Sequence, residues 1–430
     1  GEARLLCDKG LGEYENGEWR VVEPFEVPVD RSLNIGQVVR DRSGRMWMGT
    51  QRGGLWVLRP GEVARHVQCF PERSTRDMSA VLLAADGSVY AAGRGGLFRF
   101  QPSSILKWPA DEDVRYSEIA TISEASDGTL WFAGHDGVFC LPQGEGVRQV
   151  ADPATGKILN QVETAENGEV WLSGFSSDLW RGNEGGWQKM PAFAGRALGR
   201  TGFIRGLVDT GDGALWISER FGLARFLDSR FERVNPDGAD SSRKVAIIAH
   251  GHTRGELLAG LSDGSVMRWQ QGGWETLVEA PAGQRRAVNR LACASDGTVW
   301  YARSGRTLGC WREGRWGDLP EGVLTIPDDF ALAADDRGGL WLAVEKTGVW
   351  RLDAQEAAAR CLGDATGQIP VLKLDSMPDL ISRSVSDRNQ SLYRAHDGRI
   401  WVAGLRGVSM IDPATLSDEF ERSAAPPVKI

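Results

Sequence analysis

Short apolar stretches alternate with polar turns in one fixed order along most of this chain. Residues 203–234, FIRGLVDTGDGALWISERFGLARFLDSRFERV, show it most fully. FIRGLVD alternates as a first strand, and TGDG is a turn whose glycine tolerates positive φ. ALWIS is a second strand, ERFG a loop, LARFLD a third strand and RFERV a fourth. The same order returns in DRSGRMWMGTQRGGLWVL (41–58), ADGSVYAAGRGGLFRF (85–100), SDGTLWFAGHDGVFCL (126–141) and ENGEVWLSGFSSDLWRG (166–182). It continues through TRGELLAGLSDGSVMRW (253–269), SDGTVWYARSGRTLGCW (295–311), DRGGLWLAVEKTGVWRL (336–352) and HDGRIWVAGLRGVSMID (396–412). Four antiparallel strands joined by short turns make one blade, and blades repeating about every 40–45 residues predict an all-β fold, a β-propeller.

Trp47, Trp131, Trp171, Trp216, Trp300, Trp341 and Trp401 head the second strand of successive repeats, with Tyr90 and Leu258 in the two weaker copies. A ring repeated at one position in every blade is expected to fill the wedge between neighbouring sheets rather than to stack on a ligand. Trp19, Trp187, Trp274 and Trp316 lie at the turn into the fourth strand, where edge packing is expected.

The ends organise the chain. Residues 4–22 read as the last strands of a repeat, and 391–413 as the first three strands of one. The expectation is a propeller over 1–413, with 1–22 as a partial blade closing against 391–413. Eight full repeats plus one shared blade give about nine four-stranded blades in one ring; the alternative is parts of two seven-bladed rings. Residues 353–390 carry no repeat and are expected to form an irregular insertion, an elaborated loop or extra edge strands around IPVLKL.

The pattern D-x-x-G-x-x-W followed by G-T and G-G-L-W, best seen at 41–58, resembles the two-component-regulator propeller repeat. The resemblance covers roughly 30–412. It weakens at TRGELLAG (253–260), which lacks the Trp, and where A-G, S-G or I-S replaces G-T. Residues 411–430, IDPATLSDEFERSAAPPVKI, resemble the junction into that family's tyrosine-rich β-sandwich. The resemblance therefore implies a linker and the first strand of a truncated sandwich over 414–430. It also implies a downstream membrane helix and signalling domain, such as a histidine kinase or diguanylate cyclase, a periplasmic location and a homodimer.

Composition narrows the function classes. The formal net charge of −8 argues against nucleic acid as a partner, since such binding rests on attraction to phosphates. No apolar run reaches the length a membrane helix needs. Six scattered cysteines (Cys7, Cys69, Cys140, Cys293, Cys310 and Cys361) include no C-x-x-C pair, so they read as inert buried thiols. No metal or cofactor is expected.

No nucleophile elbow, Walker loop, HExxH or EF-hand loop is present. SDGTLW and SDGTVW differ from the sialidase Asp-box, S-x-D-x-G-x-T-W, because the Ser adjoins the Asp. Alternation puts His250 and His252 on one face, but a metal would need further ligands, and a solvated turn is the plainer reading.

Sorting loops by face gives a sharper expectation. The turns between first and second strands are dominated by acids, from Asp41 and Asp127 to Asp397. The opposite face gathers Arg52, Arg94, His135, Arg220, Arg303, Lys346 and Arg406 from loops, with Asn34, Asn160, Arg205, Asn289 and Arg290 from the inner strands. Converging Arg and Asn donors suit a carboxylate- or sulfate-bearing ligand. The expected function is a non-enzymatic sensor binding a polar, saccharide-like, anionic solute on that face. The alternatives are a propeller enzyme, either a polysaccharide lyase or a glycoside-active protein, and a protein-interaction platform.

Overall fold

A computed structural model describes residues 3–7, 10–15, 18–24, 35–41, 45–51, 54–58, 65–67, 78, 80–84, 89–93, 96–100, 105–108, 118–143, 147–150, 159–174, 178–190, 204–219, 222–236, 243–281, 283, 286–304, 307–326, 330–344, 347–374, 391–404, 407–413 and 416. The chain divides into two compact units, Gly1–Ser103 and Ser104–Ile430. Among the described residues every sheet is antiparallel, and there is one α-helix.

Unit 1 holds three described sheets. Ala3–Cys7, Gly10–Glu15 and Glu18–Pro24 form a three-stranded sheet of their own. Ile35–Arg40, Met46–Thr50, Leu55–Leu58 and Arg65–Val67 form a four-stranded one, and Ala80–Leu83, Val89–Gly93 and Gly96–Phe100 a three-stranded one. Trp47 packs on Val81, Val89 and Ala91 of the third sheet, burying its ring between two layers.

Unit 2 holds seven described four-stranded sheets. Their inner strands are Ile119–Glu124, Leu159–Thr164, Ile204–Asp209, Val245–His250, Val288–Cys293, Phe330–Ala334 and Leu392–Arg394. We number the sheets first to seventh in that order. The turns between inner and second strands in the first, second, fifth and seventh sheets are built alike. In the first sheet, Ala125 N–H donates to the Thr129 carbonyl and Gly128 N–H to the Ala125 carbonyl, both at 2.9 Å. Gly128 sits at φ +80°, a left-handed conformation that glycine adopts without a side-chain penalty.

Indoles fill the seams between sheets. Trp131 of the first sheet packs with Leu159, Val162 and Leu172 of the second. Trp171 packs with Leu207 and Ile217 of the third, and Trp216 with Ile248 and Leu257 of the fourth. Leu258 takes the role against Leu291 and Tyr301 of the fifth. Trp300 then meets Phe330 and Leu332 of the sixth, and Trp341 meets Ile400 and Val402 of the seventh. Finally Trp401 of the seventh sheet packs with Ile119, Ile122 and Phe132 of the first. Trp187 and Trp274, beside the outer strands, add edge-on contacts to Trp131 and Trp216, each at 6.1 Å between ring centres.

Two expectations need correction. Among the described residues, the strands of 391–413 pair with none of 1–22. Their outer partner is Ile105–Trp108, which pairs along Gly407–Ile411 and so covers the edge of the seventh sheet from within unit 2. Residues 353–374 of the expected insertion are also more regular than expected, and 375–390 lie outside the described residues. Asp353 caps helix α1 (Ala354–Cys361) by accepting the Glu356 N–H, and Val371–Leu374, from the IPVLKL run, is the fourth strand of the sixth sheet. Apart from Leu416, the linker and strand expected over 414–430 lie outside the described residues.

Candidate functional site

Five of the seven inner strands of unit 2 end in polar residues on the side of the acidic turns. Ser123 and Glu124 close the first strand, Glu163 and Thr164 the second, Asp209 the third, His250 the fourth, and Tyr393 and Arg394 the seventh. These ends, with His252, Thr253, Arg254, Glu256 and His396 from the following turns, line a depression of about 500 Å³.

Side chains here tie one inner strand to the next. Thr164 N–H donates to Ser123 Oγ at 3.1 Å, and the Thr164 hydroxyl to the Glu124 carbonyl at 2.6 Å. Glu163 is only 1% exposed. Its Oε1 accepts the Asp209 N–H at 3.0 Å and lies 2.9 Å from His250 Nε2, so it joins the second, third and fourth sheets. Glu124 Oε2 accepts the His396 N–H at 2.6 Å and lies 3.4 Å from His396 Nδ1, joining the first sheet to the seventh.

Burial among neighbouring acids shifts several groups. Desolvation raises the Asp209 carboxyl to about 6; Glu163 adds to the rise, while the Gly211 N–H and His250 oppose it. Desolvation likewise raises Glu124, against the lowering effect of the His396 backbone N–H and imidazole. For His250, desolvation lowers the pKa, but Glu163 and Asp209 outweigh it and the net direction is upward. Burial, with Glu163 and Glu124 nearby, raises the Tyr393 hydroxyl. The depression thus sets carboxyls that accept hydrogen bonds beside the imidazoles of His250, His252 and His396. Among the described residues no group of three or more His, Cys, Asp or Glu side chains is placed to hold a metal ion.

The residues expected to form a basic ligand face are described only in part. Asn34, Arg52, Arg94, Arg220, Lys346 and Arg406 fall outside the described residues. Of the others, three hold seams. Asn160, 2% exposed, donates to the Ile204 carbonyl of the third sheet at 3.4 Å. Arg290 donates to the Phe330 carbonyl of the sixth sheet and, at 2.5 Å, to the Asn289 carbonyl. Arg303 donates to the Gly264 carbonyl of the fourth sheet at 2.8 Å and to both Asp318 oxygens at 2.6 Å, with its guanidinium 4.8 Å from the Tyr301 ring. His135 lies 3.8 Å from Glu118. Arg205 is exposed and lines a separate space of about 60 Å³ with Gln161 and Ser218.

Glu124, Glu163 and Asp209 were not singled out from the sequence. The available signal was an acid at or next to the last position of three successive inner strands, in ISEAS, VETAE and LVDTG. His250 was noticed, but its partner Glu163 comes from two sheets away.

No family model matches the chain, and no curated protein does. Solved structures do. The extracellular domain of a hybrid two-component system from B. thetaiotaomicron aligns with 100% of this chain at TM-score 0.68 and 13% identity. The chain spans 57% of that structure's length. A streptogramin B lyase aligns with 72% of this chain and 97% of its own at TM-score 0.52 and 13% identity. YCF48 bound to D1 peptide aligns with 72% and 96% at TM-score 0.50 and 17% identity. No helix of the described residues is long and apolar enough to cross a membrane. With four-stranded antiparallel sheets joined by buried indoles, these likenesses make the chain's fold a β-propeller.

Proposed function

We propose that the chain is the extracytoplasmic ligand-sensing region of a bacterial membrane signalling protein of the two-component-regulator propeller family. In this reading unit 2 is a complete seven-bladed ring, not part of a single ring of about nine, and unit 1 belongs to a second ring. Downstream sandwich, membrane helix and signalling domain, a periplasmic location and a pairing of two copies come with the family reading. The likeness of the whole chain to an extracellular two-component domain supports the sensor role.

One observation carries the binding site: inner-strand ends from five sheets converge on the depression around Glu163. A small saccharide-like solute suits it, because ligand hydroxyls can donate to Glu124, Glu163 and Asp209. Those carboxyls disfavour an anionic ligand here, and Asn160, Arg290 and Arg303 at the opposite ends already hold seams. Calorimetry of the purified chain with neutral, amino and uronic oligosaccharides tests this. Binding of neutral or amino sugars, weakened at least about tenfold by Glu163→Gln, is expected, since that factor is the cost of one good hydrogen bond to a charged group. Binding of uronates alone, lost in Arg205→Ala and kept in Glu163→Gln, would move the site to the other end of the strands.

The close pairing of Glu163 with His250 and of Glu124 with His396 favours a second reading, acid–base catalysis on a bound glycan. Release of new reducing or unsaturated sugar ends by the purified chain, abolished by His250→Ala, would select it.

A further inference from the structure

The fifth sheet's third strand, Thr307–Arg312, pairs with its fourth, Arg315–Asp318, and sets Cys310 directly opposite Gly317. Helix α1, inserted between the third and fourth strands of the sixth sheet, packs on both of these strands. Its last residue is Cys361. A side-chain carbon at Gly317 would come 2.0 Å from the Cys361 carbonyl oxygen, so the helix end occupies the space a side chain would take there. Cys361 therefore lies over the Cys310–Gly317 pair. Both cysteines belong to one apolar cluster and are 0% and 6% exposed.

We propose that Cys310 and Cys361 are a disulfide pair, oxidised when the protein folds outside the cytoplasm, that fastens α1 to the fifth sheet. The helix and the strand belong to different sheets, so the bond would lock the fifth-to-sixth seam from outside while Trp300 fills it from within. The oxidant is a disulfide, of a protein or of a small thiol compound. One protein thiolate attacks it, releasing one thiol and leaving a mixed disulfide. The second thiolate then attacks the protein sulfur of that mixed disulfide, expelling the other thiol. Two protein thiols are oxidised, one disulfide is reduced to two thiols, and the two protons go with the released thiols. Because both sulfurs are buried once α1 is seated, the exchange belongs to folding or to transient release of the helix.

Formation in the cell rests on the extracytoplasmic reading given above; the geometry does not. Two preparations separate them. The full chain is refolded with oxidised and reduced glutathione, alkylated under denaturing conditions and peptide-mapped. The expected result is a linked Cys310–Cys361 peptide with a mass lower by two hydrogens. A raised urea midpoint is also expected, and it is lost in Cys310→Ser, in Cys361→Ser and on reduction. Full alkylation of both cysteines, or scrambled pairing with the other four, would overturn the proposal. The same mapping on chain exported to a periplasm reports the compartment. A link formed in the tube but absent from exported protein counts against the location while leaving the pair itself standing.

Discussion

Asp335 Oδ2 accepts the Trp341 indole N–H at 2.7 Å, with both residues buried. The other oxygen of the same carboxylate takes the N–H groups of Arg337 at 2.8 Å and Gly339 at 2.6 Å. One side chain thus closes a turn and orients the ring that fills the seam to the seventh sheet. Asp41 and Trp47 repeat the arrangement at 2.8 Å in unit 1. Asp335→Ala removes three bonds to a charged acceptor and strands a buried donor. It is expected to cost about 3 kcal/mol in urea unfolding. Asp335→Asn, which keeps an acceptor for the turn, should cost visibly less. Equal losses in the two variants would mean that the turn and indole bonds carry little of the effect.

Trp401 joins the last sheet of unit 2 to the first, stacking 6.1 Å from Phe132 and against Ile119 and Ile122. Its loss opens a cavity at the seam where unit 2 closes. Trp401→Ala is expected to destabilise by about 3–5 kcal/mol, the usual cost of deleting a buried aromatic ring. Hydrogen exchange should place the new openings in Ile119–Glu124 and Leu392–Arg394 first. Openings spread evenly over all seven sheets would argue that no seam is distinct.

Asp209 makes stability depend on pH. Its carboxyl is raised from 3.8 to about 6, so between those values the folded protein holds more of this proton than the unfolded chain does. Its contribution is therefore fully present below 3.8 and is lost as pH rises through about 6. Asn at this position keeps the acceptor that Gly211 N–H uses at 2.8 Å but carries no charge. Asp209→Asn should gain on the parent protein as pH rises from about 4 to about 7, read from unfolding midpoints in matched buffers. Parallel stability curves for the two proteins would show that Asp209 titrates alike in both states.

The fold was legible because a two-residue strand alternation, a glycine turn and one indole recur together, and each answers to a local physical demand. Other turns carry Ala where Asp41 and Asp335 stand, as at Ala294. The structure explains it: Asp296, two positions on, takes over the turn by accepting the Thr298 N–H at 2.9 Å. What Asp296 does not supply is an indole partner, and Trp300 Nε1 is buried without a hydrogen bond among the described residues. Strand closure was less legible, because Ile105–Trp108 is a short strand far in sequence from the Gly407–Ile411 strand it covers. The candidate site was least legible. Glu163 and His250 meet across an intervening sheet, and no spacing in the chain encodes that contact.

Arg303 separates a seam role from a ligand role. Its side chain is 1% exposed, its guanidinium holds both Asp318 oxygens, and it reaches the Gly264 and Glu279 carbonyls of the fourth sheet. Removing the cation leaves two carbonyls without this donor and leaves Asp318, one-third exposed, with the Tyr301 hydroxyl at 2.9 Å. Arg303→Ala should therefore lose about 1.5–3 kcal/mol, the range for losing a hydrogen bond to a charged group. Arg303→Lys restores the charge but not the fork that reaches carboxylate and carbonyls together, so it should recover only part of the loss. Saccharide affinity, measured on whatever fraction remains folded, should stay within about twofold of the parent, the ordinary scatter for a residue that does not touch the ligand. A selective loss of affinity with unchanged stability would instead return Arg303 to the list of ligand-contacting residues.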